Sequence, residues 1–207
     1  MLRQCITALL TLGLLASCGM AIPVIETADS NTEGTSSTAF AAYGLATPAG
    51  SGVGITAQYN YGLTDQIDWT TNVSTSLNKM VEIQLMNDDV EFVGWQNTLL
   101  TGPKFSNTSG SFALSLPLGM AYNLNNPVDN RAYLLAAPTI LTSWKARNRT
   151  ITRTAFARLN VMGDAQGAVG WPVIGISNQI SQLSGTQLYT SYAVTYAGVF
   201  VGFGLSL

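Results

Sequence analysis

Histidine is absent from this chain of 207 residues, and cysteine occurs only twice, at Cys5 and Cys18. Without histidine, any mechanism that needs an imidazole base or an imidazole metal ligand is excluded. Cys5 lies in the leader, which leaves at most Cys18 in the mature chain, so no disulfide within it can hold the fold; no free thiol is expected after processing, so Cys/His metal sites and cysteine nucleophiles are excluded as well. Charge is also scarce: charged residues make up 10% of the chain, against about a quarter in a typical globular domain. Hydrophobic residues stand at an ordinary 47%. The deficit is therefore filled by Ser, Thr, Asn, Gln and Gly. Beyond Ala16 no apolar run is long enough for a membrane helix.

What is present begins with Arg3, the lone charge before the apolar run Ile6 to Ala16. A positive start and a short apolar stretch read as a signal peptide, too short to span a bilayer as a helix. We assign residues 1–17 to it. Leu15-Ala16-Ser17-Cys18 then resembles the bacterial lipobox, which implies acylation of Cys18 as the first mature residue. Gly19 behind it resembles the pattern of lipoproteins sent on to the outer membrane. The alternative is ordinary cleavage after Ala21. Residues 18–38, and Ile22 to Thr38 in particular, are polar, rich in Thr and Ser, and without periodicity. They read as a lipidated tether that cannot order itself.

From residue 39 to 207 the chain alternates. Val53, Ile55, Ala57, Tyr59 and Tyr61 are apolar, with Gly54, Thr56, Gln58 and Asn60 between them. Phe112, Leu114, Leu116, Leu118, Met120 and Tyr122 oppose Ala113, Ser115, Pro117, Gly119 and Ala121. At the C-terminus, Val199, Val201, Phe203, Leu205 and Leu207 oppose Gly198, Gly202, Gly204 and Ser206. A period of two is a strand. An apolar strand running to the last residue fits a wall covered by lipid better than a soluble edge that would fray. The predicted fold is all-β, a transmembrane antiparallel up-and-down β-barrel of about ten strands. These fall at 39–46, 51–62, 67–76, 80–86, 90–100, 111–123, 132–145, 150–161, 168–180 and 187–207. If 80–86 and 90–100 are one strand or an excursion, the count is eight. A soluble secreted β-sandwich, whose strands also alternate, is the rival fold.

The segment YGLTDQIDW around Asp65 resembles the tight periplasmic turns of bacterial outer-membrane barrels. Trp69 and Trp144 then read as interfacial girdle residues. Gly202, Leu205 and Leu207 resemble the C-terminal signal read by the barrel-assembly machinery, although Phe200 stands at its polar position and Leu207 replaces the usual aromatic. The resemblance is architectural and singles out no family. It implies a bacterial outer-membrane location, with the tether and C-terminus on the periplasmic side, and the assembly machinery as a partner during biogenesis. No cofactor and no nucleic-acid partner are expected. The barrel enzymes of that membrane (phospholipase, palmitoyl transferase, lipid deacylase and omptin-type protease) resemble one another in needing a catalytic histidine, so a non-enzymatic role is expected here.

With Asp65 on the periplasmic side, alternating turns would place Asp88, Asp89, Asp129 and Asp164 there too. Lys79, Lys104, Arg147 and Arg149 would be extracellular, Lys104 within a loop from Thr101 to Gly110. Arg131 is the exception. Lys145, Arg147, Arg149 and Arg153 are the candidate binding set for lipopolysaccharide phosphates, with Arg153 on the lipid face at the outer rim. Gln58, Asp68, Asn72, Arg158, Tyr192 and Tyr196 are the candidate lumen lining. Asp68 with Glu82 and Glu91 is a conceivable acid–base group, against the plainer reading that inward acids pair with inward arginines such as Arg158. The expected function is a structural or surface-interacting barrel. The alternative is a small-solute channel or transporter, for which the inward glycines would leave room.

Overall fold

The computed structural model describes residues 24–47, 50–82, 90–124, 132–146, 150–165, 167–181, 186–195 and 198–206. Residues 1–17, expected to be a signal peptide, and Cys18, Arg147, Arg149, Tyr196 and Leu207 therefore lie outside the described residues, and so do Asp88, Asp89, Asp129 and Arg131.

Twelve strand segments follow one another: β1 (Ser36–Thr47), β2 (Gly50–Thr64), β3 (Ile67–Glu82), β4 (Val90–Ser106), β5 (Phe112–Ser115), β6 (Leu118–Leu124), β7 (Ala132–Ala136), β8 (Thr139–Lys145), β9 (Ile151–Asp164), β10 (Gly167–Ser181), β11 (Gln187–Thr195) and β12 (Gly198–Ser206). All pairings are antiparallel. β1 pairs with β12 from Ala39–Ser206 to Ala46–Val199, which closes the sheet on itself. β5 and β6 both pair with β4, and β7 and β8 both pair with β9. Each couple is thus one stave interrupted at a proline, Pro117 or Pro138, where the missing N–H removes a ladder bond. The result is a closed barrel of ten staves.

The predicted number of staves is right, but two boundaries move in opposite senses. Residues 67–76 and 80–86 do not form two strands, because β3 runs unbroken from Ile67 to Glu82 against β4. The stretch 187–207 is not one strand, because it folds back between β11 and β12. Residues 101–106, expected in a loop, continue β4. Tracing the staves in order puts the start of β1 and the end of β12 at one end, here called proximal. The turn at Asp65, the connection at 107–111 and the connection from β8 to β9 share that end. The connections from β3 to β4, from β6 to β7 and from β9 to β10 lie at the distal end. The expected sorting of acidic and basic turns onto opposite ends is therefore overturned: Asp65 shares its end with the basic connection after Lys145, while Asp164 lies at the other.

Alternation decides the two faces. Ile55, Val73, Leu118, Met120, Ile174, Val194 and Phe203 are exposed on the outside. Leu100, Leu135, Leu141, Phe156, Trp171, Val173 and Phe200 are buried inside. A continuous apolar outer wall around a filled interior is the arrangement of a barrel solvated by lipid. Aromatics gather near the proximal rim: Tyr61, Trp69, Phe105, Phe112 and Trp144 are all outward and exposed. Trp69 Nε1 donates to Thr101 Oγ1 at 2.8 Å.

Candidate functional site

The lumen holds a segment of the chain itself. Residues 24–31 lie within the proximal half of the barrel. Val24, Ile25, Glu26 and Ala28 are buried. Val24 and Ala28 pack with Leu100, Leu141, Trp171 and the other inward apolar side chains, and Ile25 packs with Ala39, Ala41 and Tyr189. The expectation of an unordered tether through residue 38 is corrected for these residues. Their few apolar side chains suffice because the barrel wall supplies the other side of every contact, and residues 36–38 already belong to β1.

Three walls grip this plug. On β8, Ser143 Oγ accepts from the Ala28 N–H at 2.8 Å and is itself bonded to Thr154 Oγ1. On β3, Asp68 Oδ1 accepts from the Asn31 N–H at 3.0 Å. On β4, Lys104 Nζ donates to the carbonyls of Asp29 at 2.7 Å and Thr27 at 3.4 Å. Lys104 and Asp68 also form an ion pair at 2.7 Å. Both are almost fully buried, at 3% and 0% exposure. The plug leaves through the proximal end, where Gly34 N–H donates to Gly62 O and Gly62 N–H to Thr35 O. Gly110, in the left-handed region at φ 63°, lies so close to Asp29 that a Cβ there would sit 2.6 Å from its carboxylate.

Deeper in, Glu26 and Arg158 are both buried and attract one another. Arg158 Nε donates to Thr139 Oγ1 at 2.9 Å. Towards the distal end the filling is aromatic. Tyr43 and Phe200 stack with centroids 5.5 Å apart. A Cβ at Gly54 would meet the Tyr43 ring at 2.5 Å, and one at Gly175 would meet Phe156 Cζ at 2.5 Å. Gly54, one of the inward glycines expected to leave room, thus does not widen the bore; it and Gly175, at mid-stave, receive rings from neighbouring staves.

Of the candidate lumen residues, Gln58, Asp68, Asn72 and Arg158 face inward and are buried. Tyr192 does not: it is outward and exposed, because the turn after β11 resets the alternation that was counted back from Val199. Among the described residues Tyr43, Tyr133 and Tyr189 are the inward tyrosines. Asp68 is not near Glu82 or Glu91, which occupy the opposite ends of β3 and β4, so no carboxylate group assembles there. Lys104 was expected in an extracellular loop and lies in the lumen instead. Its signal was available, since Gly102, Lys104 and Ser106 continue the inward phase of Thr98 and Leu100. Nothing in residues 24–31 marked the plug, because an irregular segment has no period to detect.

The basic set is partly described. Lys145 and Arg153 are exposed at the proximal end, Arg153 on the outer wall beside Trp144 and Asn178. Gly202 lies on the inner face of β12 and Leu205 on the outer. Lipopolysaccharide contact at this rim and a periplasmic end of β12 exclude one another, since both occupy the proximal end.

No family model matches the sequence, and no curated protein matches it. Among solved structures, the backbone structure of the Yersinia pestis outer membrane protein Ail in a phospholipid bilayer nanodisc aligns with 83% of this chain and 99% of its own. The sequence identity is 11% and the TM-score 0.41, a likeness too loose to carry function.

Proposed function

We propose that this is a non-enzymatic barrel of the bacterial outer membrane whose lumen is closed, and which acts through its outer wall and rims. The observation that carries the reading is the filled interior, with residues 24–31 gripped by Lys104, Asp68 and Ser143 and the distal half packed by Tyr43, Trp171 and Phe200. A conduit needs a continuous polar path, and among the described residues apolar side chains such as Leu100, Leu141, Trp171 and Phe200 fill the interior around and beyond the plug. The channel alternative would require the plug to leave. The test is planar-bilayer recording of the refolded protein. The expected result is no sustained conductance; steady single-channel steps would replace this reading with the alternative.

We further propose that the proximal end is periplasmic, with the end of β12 offered to the assembly machinery there. The basic rim of Lys145, Arg147, Arg149 and Arg153 then meets phosphates of the inner leaflet rather than lipopolysaccharide. Ser109→Cys at the exposed proximal turn separates the two. Resistance to an impermeant maleimide in intact cells is expected. Labelling would turn the barrel over and return the rim to lipopolysaccharide.

A further inference from the structure

Five inward polar side chains stand side by side on neighbouring staves. Asp68 on β3 is the register partner of Lys104 on β4, Lys104 of Ser115 on β5, Ser115 of Thr139 on β8, and Thr139 of Arg158 on β9. All five are buried. Adjacent staves lie about 4.8 Å apart, so the row runs about 19 Å along the inner wall. Residues 31 to 26 follow it in order. The Asn31 N–H lies at Asp68, the carbonyls of Asp29 and Thr27 lie at Lys104, and Glu26 is drawn to Arg158. Five steps of extended chain cover about 17 Å, so segment and row match in length.

The row reads main chain. Together with Ser143, which accepts from the Ala28 N–H, it holds two N–H groups and two carbonyls of the segment. Such groups are present in any peptide. Side chains are read in few places: Ile25 against Ala39, Ala41 and Tyr189, Glu26 beside Arg158, and Asn31 at the mouth, where its amide donates to Ser37 and Asn60. Part of the site is also left unused. Ser115 Oγ, in the middle of the row, and Ser106 Oγ, on the same face of β4 as Lys104, have no hydrogen-bond partner among the described residues. Ser115 is nevertheless only 1% exposed and Ser106 8%, and buried hydroxyls are ordinarily paired. These two hydroxyls are offered to an occupant, and residues 24–31 do not take them.

We propose that this row is a binding site for an extended peptide bearing a carboxylate side chain, and that residues 24–31 occupy it in cis. The carboxylate goes to Arg158, which sets the direction of the peptide. Its N–H groups go to Asp68 and Ser143, its carbonyls to Lys104, and further acceptors to Ser115 and Ser106. A segment on a short tether competes at an effective concentration in the millimolar range, so a free peptide binds only where the cis segment is absent or displaced. The site goes beyond the closed lumen proposed above. Conductance of the parent chain tests the closed lumen and peptide retention tests the site, so the two can fail separately.

The test uses the full-length chain with residues 24–30 replaced by glycine and serine, refolded into vesicles beside the parent. The probe is a fluorescent peptide of residues 24–32, present during refolding and read in the unboiled, faster-running band on gels. The replaced chain should carry about tenfold more probe than the parent, whose cis segment holds the site. Glu26→Gln in the probe should cut retention by about tenfold, through loss of one charge-assisted contact. Thr27→Ala, Asp29→Ala and Ser30→Ala together in the probe should leave retention within about threefold, because main chain is read there. No retention, equal retention by the two chains, indifference to Glu26→Gln, or loss with the triple-alanine probe would each overturn the proposal. So would a replaced chain that gives no faster-running band, because the segment would then be part of the fold and not an occupant.

Discussion

Replacing Lys104 by methionine removes one partner of a buried ion pair without shortening the side chain. Asp68, with no exposed surface, would keep only the Asn31 N–H as partner. Breaking a buried pair from one side costs about 3–5 kcal/mol, because the remaining charge stays desolvated. The carbonyls of Thr27 and Asp29 also lose their charged donor, so the plug loses its grip on β4. With a urea slope of about 2 kcal/mol per molar, a loss of about 4 kcal/mol lowers the unfolding midpoint by about 2 M. The assay is urea unfolding in lipid vesicles, read by tryptophan fluorescence and by the unboiled band on gels. Asp68→Asn in the Lys104→Met background should restore part of the loss, since it removes the stranded charge. A midpoint for Lys104→Met within about half a molar of the parent, a quarter of the expected shift, would refute the pairing argument. Strict additivity of the two substitutions would refute it too.

Ile25→Asp places a charge among Ala39, Ala41 and Tyr189; it should release the plug, seen as protease cleavage near residues 24–31 with the wall intact. Gly54→Ala should destabilise by about 1–3 kcal/mol through overpacking. Tyr43→Phe should not rescue it, because the Thr75 carbonyl also lies 2.7 Å from the added Cβ. Ile174→Arg, at mid-stave and 60% exposed on the outer wall, should cost about 2–4 kcal/mol if lipid covers that face, measured as the folded fraction in vesicles.

The faces of the wall were legible in the sequence because a strand reveals its inside and outside through its period of two. Val53 to Tyr61 and Phe112 to Tyr122 lie as their pattern implies. Direction is not legible in this way, since a strand and its return share the same period. Splitting β3 into two strands and joining β11 to β12 left the total unchanged while moving every connection between them to the wrong end. Tyr192 failed for the same reason, the phase being lost across a tight turn. The plug was illegible for another reason. Its burial depends on Ser143, Asp68 and Lys104, and no local property of Val24 to Asn31 announces them.

The seam between β1 and β12 joins residues about as far apart in sequence as this wall allows, Ala39 with Ser206. Contacts of that span carry the largest loop-closure entropy and tend to form late. The residues that stopper the lumen run directly into β1, one of the two strands of that seam. While the seam is open, Ala28 and Asn31 can reach Ser143 and Asp68 sideways through the gap. Once it has zipped, the same residues can enter only through a mouth already crossed by their own continuation, Gly34 and Thr35 bound to Gly62. The layout of the chain thus favours an order of assembly in which the stopper goes in before the wall shuts.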